Sequence, residues 1–262
     1  MDPFDVELRP YMRTHPISVL ASDRLHVAQA RLSKHGLDGL PVIDDAQQPV
    51  GVITQSDLLR LEAVPAVTGG AERRLMLPDI TVGEAMTKRP VALAVSATLG
   101  EAAAIMIQRR LHRILVVDSG RLVGLLSAWE LLRRTVEVRL NTPIVEIMTS
   151  PVVTTTPNQS AETAIERLRQ SGIHGLVVVH QGWPIGIFSQ REALQAELHP
   201  ERERLESWIS PGILTMPPDF PVHHAAAQAL ATGARYLVVV DGRSIRGLLT
   251  PTDFARLHAR TG

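Results

Sequence analysis

Apolar and polar residues follow one another along this chain in a pattern that returns four times. Each copy contains a seven-residue phrase in which glycine is followed by two apolar residues, a hydroxyl residue, two variable positions and an acid. The phrases begin at Gly51, Gly124, Gly186 and Gly247, and they define repeats 1 to 4 in chain order. Since self-similarity at a nearly fixed spacing marks the structural unit of a chain, the sequence predicts one unit used four times.

The hydrophobic pattern around each phrase predicts the elements of the unit. A short β-branched run closed by turn residues, typical of a buried strand, precedes each phrase at 40–44, 114–118, 176–180 and 237–241. Apolar residues three and four apart indicate a helix before each run, at 24–35, 98–110, 161–171 and 222–232. A further strand, opened by proline, precedes each helix at 16–19, 90–93, 151–154 and 211–214. Because the chain turns helical again after each acid, the unit is strand, helix, strand, strand, helix, and the fold class is α/β.

Local signals mark where several of these helices begin and end. Thr98 and Glu101 have the spacing of a capping box, which predicts that the second helix starts there. Gly36, Gly172 and Gly233 stand where a left-handed residue would end three of the helices.

The composition favours a folded protein of a reducing compartment. The chain has 262 residues, of which 45% are hydrophobic, and it contains no cysteine. Lys plus Arg and Asp plus Glu both number 27, and aromatic residues make up 3%, so no nucleic-acid-binding surface is expected. No apolar stretch is long enough for a membrane span, and the first residues lack a signal-peptide pattern. We therefore expect a cytoplasmic protein that binds neither nucleic acid nor membrane.

No arrangement of residues predicts catalysis or a metal site. The sequence has no recognisable Ser-His-Asp or Cys-His set and no Walker-type phosphate loop. His15, His223 and His224 have no ligand set at metal spacing and are predicted to be surface residues. Met76, Met86, Met106 and Met148 lie among apolar neighbours and are predicted to be core residues. We expect no enzyme, no metal and no cofactor.

The repeated unit resembles a cystathionine β-synthase (CBS) domain. In repeat 1 the resemblance runs from Met12 through GLPVIDDAQQPVGVITQSDLL, and the other three units match in the same order of features. It implies four CBS domains at 8–62, 78–134, 142–197 and 205–259, as in stand-alone prokaryotic proteins with four such domains. In this family two adjacent domains form a pair around a pseudo-twofold axis, here repeats 1 with 2 and 3 with 4. Two pairs often associate into a flat disk.

The hydroxyl residue and the acid of the phrase could together hold a nucleotide. A carboxylate can accept two charge-assisted hydrogen bonds from a ribose diol, and nearby hydroxyls can donate to phosphate oxygens. In the CBS family this phrase does hold adenosine nucleotides, with the acid on the ribose and the hydroxyl residue assisting at the phosphate. The simpler alternative is that both residues only cap the last helix, which is compatible with ligand binding.

The four copies of the phrase are not equivalent. Repeats 1 and 4 carry two hydroxyls and an aspartate: Thr54, Ser56 and Asp57, and Thr250, Thr252 and Asp253. Repeats 2 and 3 carry a serine, a bulky residue and a glutamate: Ser127, Trp129 and Glu130, and Ser189, Arg191 and Glu192. Because glutamate is longer and the bulky residue stands where ligand would lie, we expect these two copies to be weak or empty.

The resemblance also implies that the partner repeat completes each cleft. It contributes the segment before its first strand and the residue that enters its second strand: Asp38, His112, His174 or Arg235. The phrase His112-Arg113 and its apolar continuation are similar to one in the γ subunit of AMP-activated protein kinase, where basic residues reach phosphates. Asp57 would then share its cleft with His112 and Asp253 with His174. The alternative for each histidine is a hydrogen-bonded core residue.

These features favour a stand-alone regulatory sensor. The expected ligand is AMP, with ADP or ATP as competitors, and occupancy would pass to an effector protein in trans or through a homo-oligomer. Two alternatives remain open. One is a ligand-free assembly module, and the other is a sensor of a different adenosyl compound such as S-adenosylmethionine.

Overall fold

The structure, a computed structural model, describes residues 3–61, 77–171, 173, 175–198 and 204–259. Its strands are β1 Arg13–Thr14, β2 Val19–Leu20, β3 Gly39–Ile43, β4 Pro49–Thr54, β5 Thr87–Lys88, β6 Ala92–Ala94, β7 Arg113–Asp118, β8 Arg121–Ser127, β9 Thr154–Thr155, β10 Gly175–His180, β11 Trp183–Ser189, β12 Ile213–Met216, β13 Tyr236–Asp241 and β14 Ser244–Leu249. Its α-helices are α1 Leu25–His35, α2 Gln55–Leu61, α3 Val82–Ala85, α4 Leu99–Gln108, α5 Ala128–Val138, α6 Ala161–Ser171, α7 Gln190–Leu198, α8 Val222–Thr232 and α9 Pro251–Ala259.

Each repeat builds its own small sheet. Within the described residues the strand orders are β2-β3-β4-β5, β1-β8-β7-β6, β11-β10-β9 and β12-β13-β14. In every repeat the first strand runs parallel to the second across a helix, and the second and third strands form an antiparallel hairpin. The predicted α/β unit of strand, helix, strand, strand, helix is confirmed.

The first strand of each repeat starts two or three residues later than the sequence predicts. The prolines at 16, 90, 151 and 211 lie outside the strands, which begin at Val19, Ala92, Thr154 and Ile213. Proline has no backbone N–H to donate to a neighbouring strand, so it precedes the ladder instead of opening it.

The predicted helix ends are confirmed where the structure describes them. Gly36 and Gly233 end α1 and α8 in the left-handed region, at φ of 60° and 74°. At the start of α4 the Thr98 backbone N donates to Glu101 Oε2 at 2.8 Å, and the Glu101 N donates to Thr98 Oγ1 at 3.2 Å. The predicted helix end at Gly172 lies outside the described residues, as does most of the segment between repeats 1 and 2.

Neighbouring repeats exchange the segment that precedes their first strand. In repeats 1 and 2, β1 pairs with β8 and β5 pairs with β4, so each repeat adds a short strand to the sheet of the other. In repeats 3 and 4 the same exchange is reduced to single bridges, Thr149 with Leu248 and Ser210 with Ile187. The exchange thus links repeat 1 with repeat 2 and repeat 3 with repeat 4.

The glycine that opens each phrase is where the exchanged segment crosses. Met86 lies directly over Gly51, and a Cβ there would meet its sulfur and approach Thr87 O to 2.9 Å. The other three phrase glycines are covered in the same way by Met12, Met148 and Ile209. Glycine is therefore required by the close approach of a partner segment, and Met86 and Met148 pack between repeats.

Replacing Gly51 with alanine is expected to lower the free energy of unfolding by about 1–3 kcal/mol, because the added methyl overpacks this crossing. Gly212→Ala is the matched control, since a Cβ there meets its nearest neighbour, Ser210 Oγ, at 3.8 Å. Urea denaturation followed by circular dichroism measures both. Equal stability of the two variants would contradict the crowded crossing.

The chain divides into two compact units. One contains residues 6–102 and 111–127, and its core includes Leu25, Leu40 and Ile53. The other contains residues 1–5, 103–110 and 128–262. In this second unit α5 packs against α8 and α9 around a buried cluster that includes Leu132 and Phe254.

The first described residues are anchored in the second unit. Phe4 is 2% exposed, and its ring centroid lies 3.8 Å from that of His258 on α9. Arg134 on α5 donates from Nε and Nη2 to Pro3 O at 2.8 and 2.6 Å. Thr135 Oγ1 lies 2.9 Å from His258 Nε2 and completes a buried contact between α5 and α9. Phe4 is thus part of a core and not a loose terminus.

Three histidines predicted to be surface residues divide into two kinds. His15 and His224 are exposed, as predicted. His223 is half-buried, with Nδ1 2.6 Å from Leu140 O, so the surface prediction is wrong for this residue. Its ring lies against Leu140 O, just after α5, and against the ring of His224.

Among the described helices, none has the length and apolar character needed to cross a membrane.

Candidate functional site

The phrase of repeat 1 places its hydroxyl residue and its acid in direct contact. Thr54 ends β4 and Asp57 lies in the first turn of α2. Thr54 donates to Asp57 Oδ2 from its backbone N at 2.9 Å and from Oγ1 at 2.6 Å, and the Asp57 N donates back to Thr54 Oγ1 at 3.2 Å. This is the helix cap expected from the sequence, and the capped Asp57 stays half-buried.

In repeat 4 the equivalent acid is more completely enclosed. Thr250 donates to Asp253 Oδ2 from both its backbone N and Oγ1 at 2.7 Å. Asp253 Oδ1 accepts from Thr149 Oγ1 at 2.8 Å and from Arg256 Nη1 at 2.6 Å. The Asp253 side chain is 3% exposed. Both carboxylate oxygens are therefore held, one by the cap and one by an arginine and the exchanged segment of repeat 3.

The glutamate of repeat 3 makes the same cap as the two aspartates. Glu192 Oε2 accepts from the Ser189 backbone N at 3.0 Å and from the Ser189 hydroxyl, while the Arg191 N donates to Ser189 Oγ at 3.2 Å. Glu192 is half-buried and Arg191 is exposed. One additional methylene group does not disturb the cap, so residue length alone does not make this copy defective.

In repeat 2 the last residues of the phrase, Trp129 and Glu130, belong to the compact unit that contains α5, α8 and α9. Glu130 is 5% exposed. The half-buried Trp129 packs against the cluster between α5, α8 and α9, and the Arg235 guanidinium lies 6.0 Å from its ring centroid. A large aromatic residue thus occupies the position that holds Ser56 in repeat 1.

A cation from repeat 2 reaches the end of the sheet in repeat 1. Arg113, the first residue of β7, donates from Nη1 to Gly39 O at 3.3 Å, and its Nη2 lies 3.9 Å from Asp38 Oδ2. Gly39 is paired with Thr54 across β3 and β4. We call the paired residues Gly39 and Thr54 the Gly39–Thr54 rung of the sheet. The structure therefore brings Arg113 to this rung, whose Thr54 also caps Asp57. His112, beside it, is exposed.

Repeats 3 and 4 place a different side chain at the equivalent position. A Cβ on Gly39 would lie 3.5 Å from Arg113 Nη1, and one on Gly175 would lie 3.5 Å from Tyr236 Cε1. Gly175 pairs with Ser189, as Gly39 pairs with Thr54. One pair of repeats thus presents a guanidinium at this point, and the other presents a phenol ring.

The remaining predicted site residues are placed as follows. Thr252 is half-buried in the first turn of α9. The side chain of Ser56 and the whole of His174 lie outside the described residues, so the proximity of His174 to Asp253 stays a prediction.

Sequence reasoning did not single out three residues that contact the sites: Thr149, Tyr236 and Arg256. Two signals were available in the sequence. Met-Thr recurs at 86–87 and 148–149, just before a first strand. An arginine follows the acid by three residues at 60, 133 and 256, a spacing that places the two on one face of a helix.

These features define a class of protein, one built from tandem βαββα repeats in which neighbours exchange backbone pairing and an acid caps the last helix of repeats 1, 3 and 4. The chain belongs to the CBS domain family, whose model matches residues 7–63, 82–137, 144–199 and 205–260.

Two relatives match this chain over about two thirds of its length. A protein of Thermofilum pendens, an uncharacterized 33.4 kDa protein in the ribosomal RNA operon, is 26% identical over 197 residues. The match covers 70% of this chain and 62% of that protein, so this chain spans about three-fifths of the relative. MJ1225 of Methanocaldococcus jannaschii is 24% identical over 207 residues, which cover 68% of this chain and 74% of MJ1225.

Two solved structures share the fold across the whole chain. The structure of MJ1225, described as a proposed archaeal homologue of g-AMPK, has a TM-score of 0.77 at 18% identity and covers 96% of this chain and 99% of that one. A conserved protein of Pyrococcus horikoshii has a TM-score of 0.70 at 18% identity, with coverage of 97% and 100%. The four-repeat arrangement is therefore a fold that this chain shares with both proteins.

Proposed function

We propose that this protein is a regulatory sensor that binds an adenosine nucleotide in the cleft between repeats 1 and 2. The observation that carries the proposal is the contact of Arg113 of repeat 2 with Gly39 O, since Gly39 pairs with Thr54, the residue that caps Asp57. A carboxylate suits a ribose diol and a guanidinium suits a phosphate, so the two groups match the two polar ends of a nucleotide.

The burial of these residues supports a site that is open to ligand. Asp57 and Thr54 are half-buried, and the Arg113 side chain is 32% exposed. The contact of Arg113 with Asp38, at 3.9 Å between partly exposed side chains, is a weak ion pair. A phosphate in the cleft would compete with Asp38 for the guanidinium. His112 stands exposed at the same edge and could add a second donor.

We propose AMP as the ligand, with ADP or ATP as competitors and an effector protein that responds in trans. A nucleotide in this cleft would contact both repeats of the pair at once. Such a ligand favours the paired arrangement by its differential affinity for it, which is how occupancy could alter a surface that another protein reads.

Arg113→Gln is expected to weaken AMP binding about tenfold while adenosine affinity changes little, since one partly exposed charge-assisted contact to phosphate is lost. Isothermal titration calorimetry with both ligands measures the difference. Arg9→Gln is the matched control, because Arg9 is an exposed arginine of the same unit that pairs only loosely with Asp118, at 3.9 Å.

Two results would contradict the proposal. Unchanged AMP affinity in Arg113→Gln would remove the guanidinium from the phosphate end. A parent protein that binds neither AMP nor adenosine would favour the ligand-free assembly module.

A further inference from the structure

Three of the four phrase glycines lie under the thioether of a methionine from the neighbouring repeat. These methionines, which we call the crossing methionines, and the glycines that they cover are Met12 over Gly124, Met86 over Gly51 and Met148 over Gly247. Each crossing methionine directly precedes a residue whose backbone pairs with the neighbouring repeat. The fourth crossing carries Ile209 over Gly186. The thioethers thus pack at the points where paired repeats exchange backbone pairing.

The crossing methionines are also the more accessible ones among those whose burial the structure describes. All three are half-buried, whereas Met106 is 1% exposed and Met216 is 2% exposed. The sequence contains no cysteine, so methionine carries all the sulfur of the chain. An oxidant in solution must reach the sulfur in order to react with it. The crossing methionines are therefore the sulfur atoms that a solution oxidant would meet before Met106 and Met216.

A sulfoxide would not fit these contacts as a thioether does. The sulfur already lies where a glycine is required, so an added oxygen would overfill the crossing. Met86 packs against the buried cluster around Val19 and Leu25, and Thr87 O lies beside the same glycine. A sulfoxide oxygen can only accept a hydrogen bond, as can Thr87 O, so the two cannot satisfy each other. Burying the polar S–O group against apolar side chains would further weaken the contact.

We propose that the crossing methionines form a reversible modification site, at which a hydroperoxide oxidises the thioether to a sulfoxide and loosens the exchange between paired repeats. The peroxide O–O bond breaks, an S–O bond forms, and the sulfur loses two electrons; the peroxide keeps its proton and leaves as water or an alcohol. A dithiol-dependent reductase reverses the step: two electrons and two protons from the thiols release the oxygen as water, and the dithiol becomes a disulfide. This inference is independent of nucleotide binding.

The two pairs of repeats should respond unequally. Repeats 1 and 2 carry a methionine at both of their crossings, Met86 and Met12. Repeats 3 and 4 carry Met148 at one crossing and Ile209 at the other, and isoleucine has no sulfur to oxidise. Oxidation should therefore loosen the exchange between repeats 1 and 2 at both ends and the exchange between repeats 3 and 4 at one end.

The test treats the folded, full-length chain with hydrogen peroxide and follows each methionine by peptide mass spectrometry. The crossing methionines are expected to oxidise at least about tenfold faster than Met106 and Met216, because exposure sets access to the sulfur. The urea midpoint, followed by circular dichroism, should fall by about 1 M, as expected when a packed contact is overfilled. A methionine sulfoxide reductase with dithiothreitol should then restore the parent midpoint.

The combined substitutions Met12→Ile and Met86→Ile assign the effect to residues. Isoleucine is suited to a crossing, since Ile209 already covers Gly186. After peroxide treatment this double variant should show less than half of the parent's midpoint shift. Met106→Leu is the matched control, because it removes an enclosed methionine and should leave the shift unchanged.

Four results would overturn the inference. Equal oxidation rates for the crossing methionines and for Met106 and Met216 would show that the crossings do not direct the reaction. Oxidation without a change in midpoint would show that a sulfoxide does not loosen the exchange. A full midpoint shift in the double variant would place the effect elsewhere. A shift that the reductase does not reverse would be irreversible damage and not a modification that can be undone.

Discussion

Phe4→Ala is expected to lower the free energy of unfolding by about 3–5 kcal/mol, the usual cost of removing a buried aromatic side chain. Phe4 is 2% exposed, its ring packs on His258, and the carbonyl before it is fixed by Arg134. The loss should be seen in urea denaturation as an earlier transition of the unit that contains α5, α8 and α9.

The matched control for Phe4 is Trp183→Ala. Trp183 is 45% exposed at the start of β11, and removing an exposed side chain usually changes stability by no more than about 0.5 kcal/mol. If the two variants unfold at the same denaturant concentration, the first residues of the chain do not dock in solution as they do in the structure.

Asp57→Ala is expected to lower AMP affinity on the order of 10- to 150-fold, since a charge-assisted contact to the ribose contributes about 1.5–3 kcal/mol. Adenosine should lose affinity at this cleft to the same extent, because the diol is common to both ligands. In this respect Asp57→Ala differs from Arg113→Gln, which should affect AMP selectively.

Asp45→Ala removes the same charge from an exposed position of the same unit and should leave AMP binding unchanged. Glu130→Ala tests the prediction that the glutamate copy of repeat 2 contributes little. AMP binding that survives Asp57→Ala but is lost in Glu130→Ala would invert the assignment of the site in repeats 1 and 2.

The helices and the second and third strands could be predicted closely from the sequence. Their signals are local: apolar spacing, the capping box at Thr98 and Glu101, and the left-handed glycines at 36 and 233. The first strands begin later than the sequence predicts, because the prolines that mark the segment cannot join the ladder. The role of the phrase glycines could not be seen either, since it depends on a methionine or isoleucine from the partner repeat.

The candidate site likewise combines contacts that the sequence predicts with contacts that it does not. The cap between Thr54 and Asp57 joins residues three apart and follows from residue types alone. The contact between Thr149 and Asp253 spans 104 positions in the chain, and no local pattern reveals it.

The expectation that the two glutamate copies are weak or empty considered the length of glutamate and the bulk of Trp129 and Arg191. The structure shows that the hydrogen-bond donors around the acids differ as well. Arg256 donates to Asp253 Oδ1, whereas Ser189 donates to Glu192 Oε2.

The exchanged strands also bear on how the chain folds as it is synthesised. The pairing of Arg13 with Leu125 joins β1, at the beginning of repeat 1, to β8 in the sheet of repeat 2. Repeat 1 leaves the ribosome with β4 as an unpaired edge, and only the later synthesis of β5 can cover it. Until then the nascent sheet is open to strands from other chains, so the hazard of misassembly falls in the interval between the two repeats.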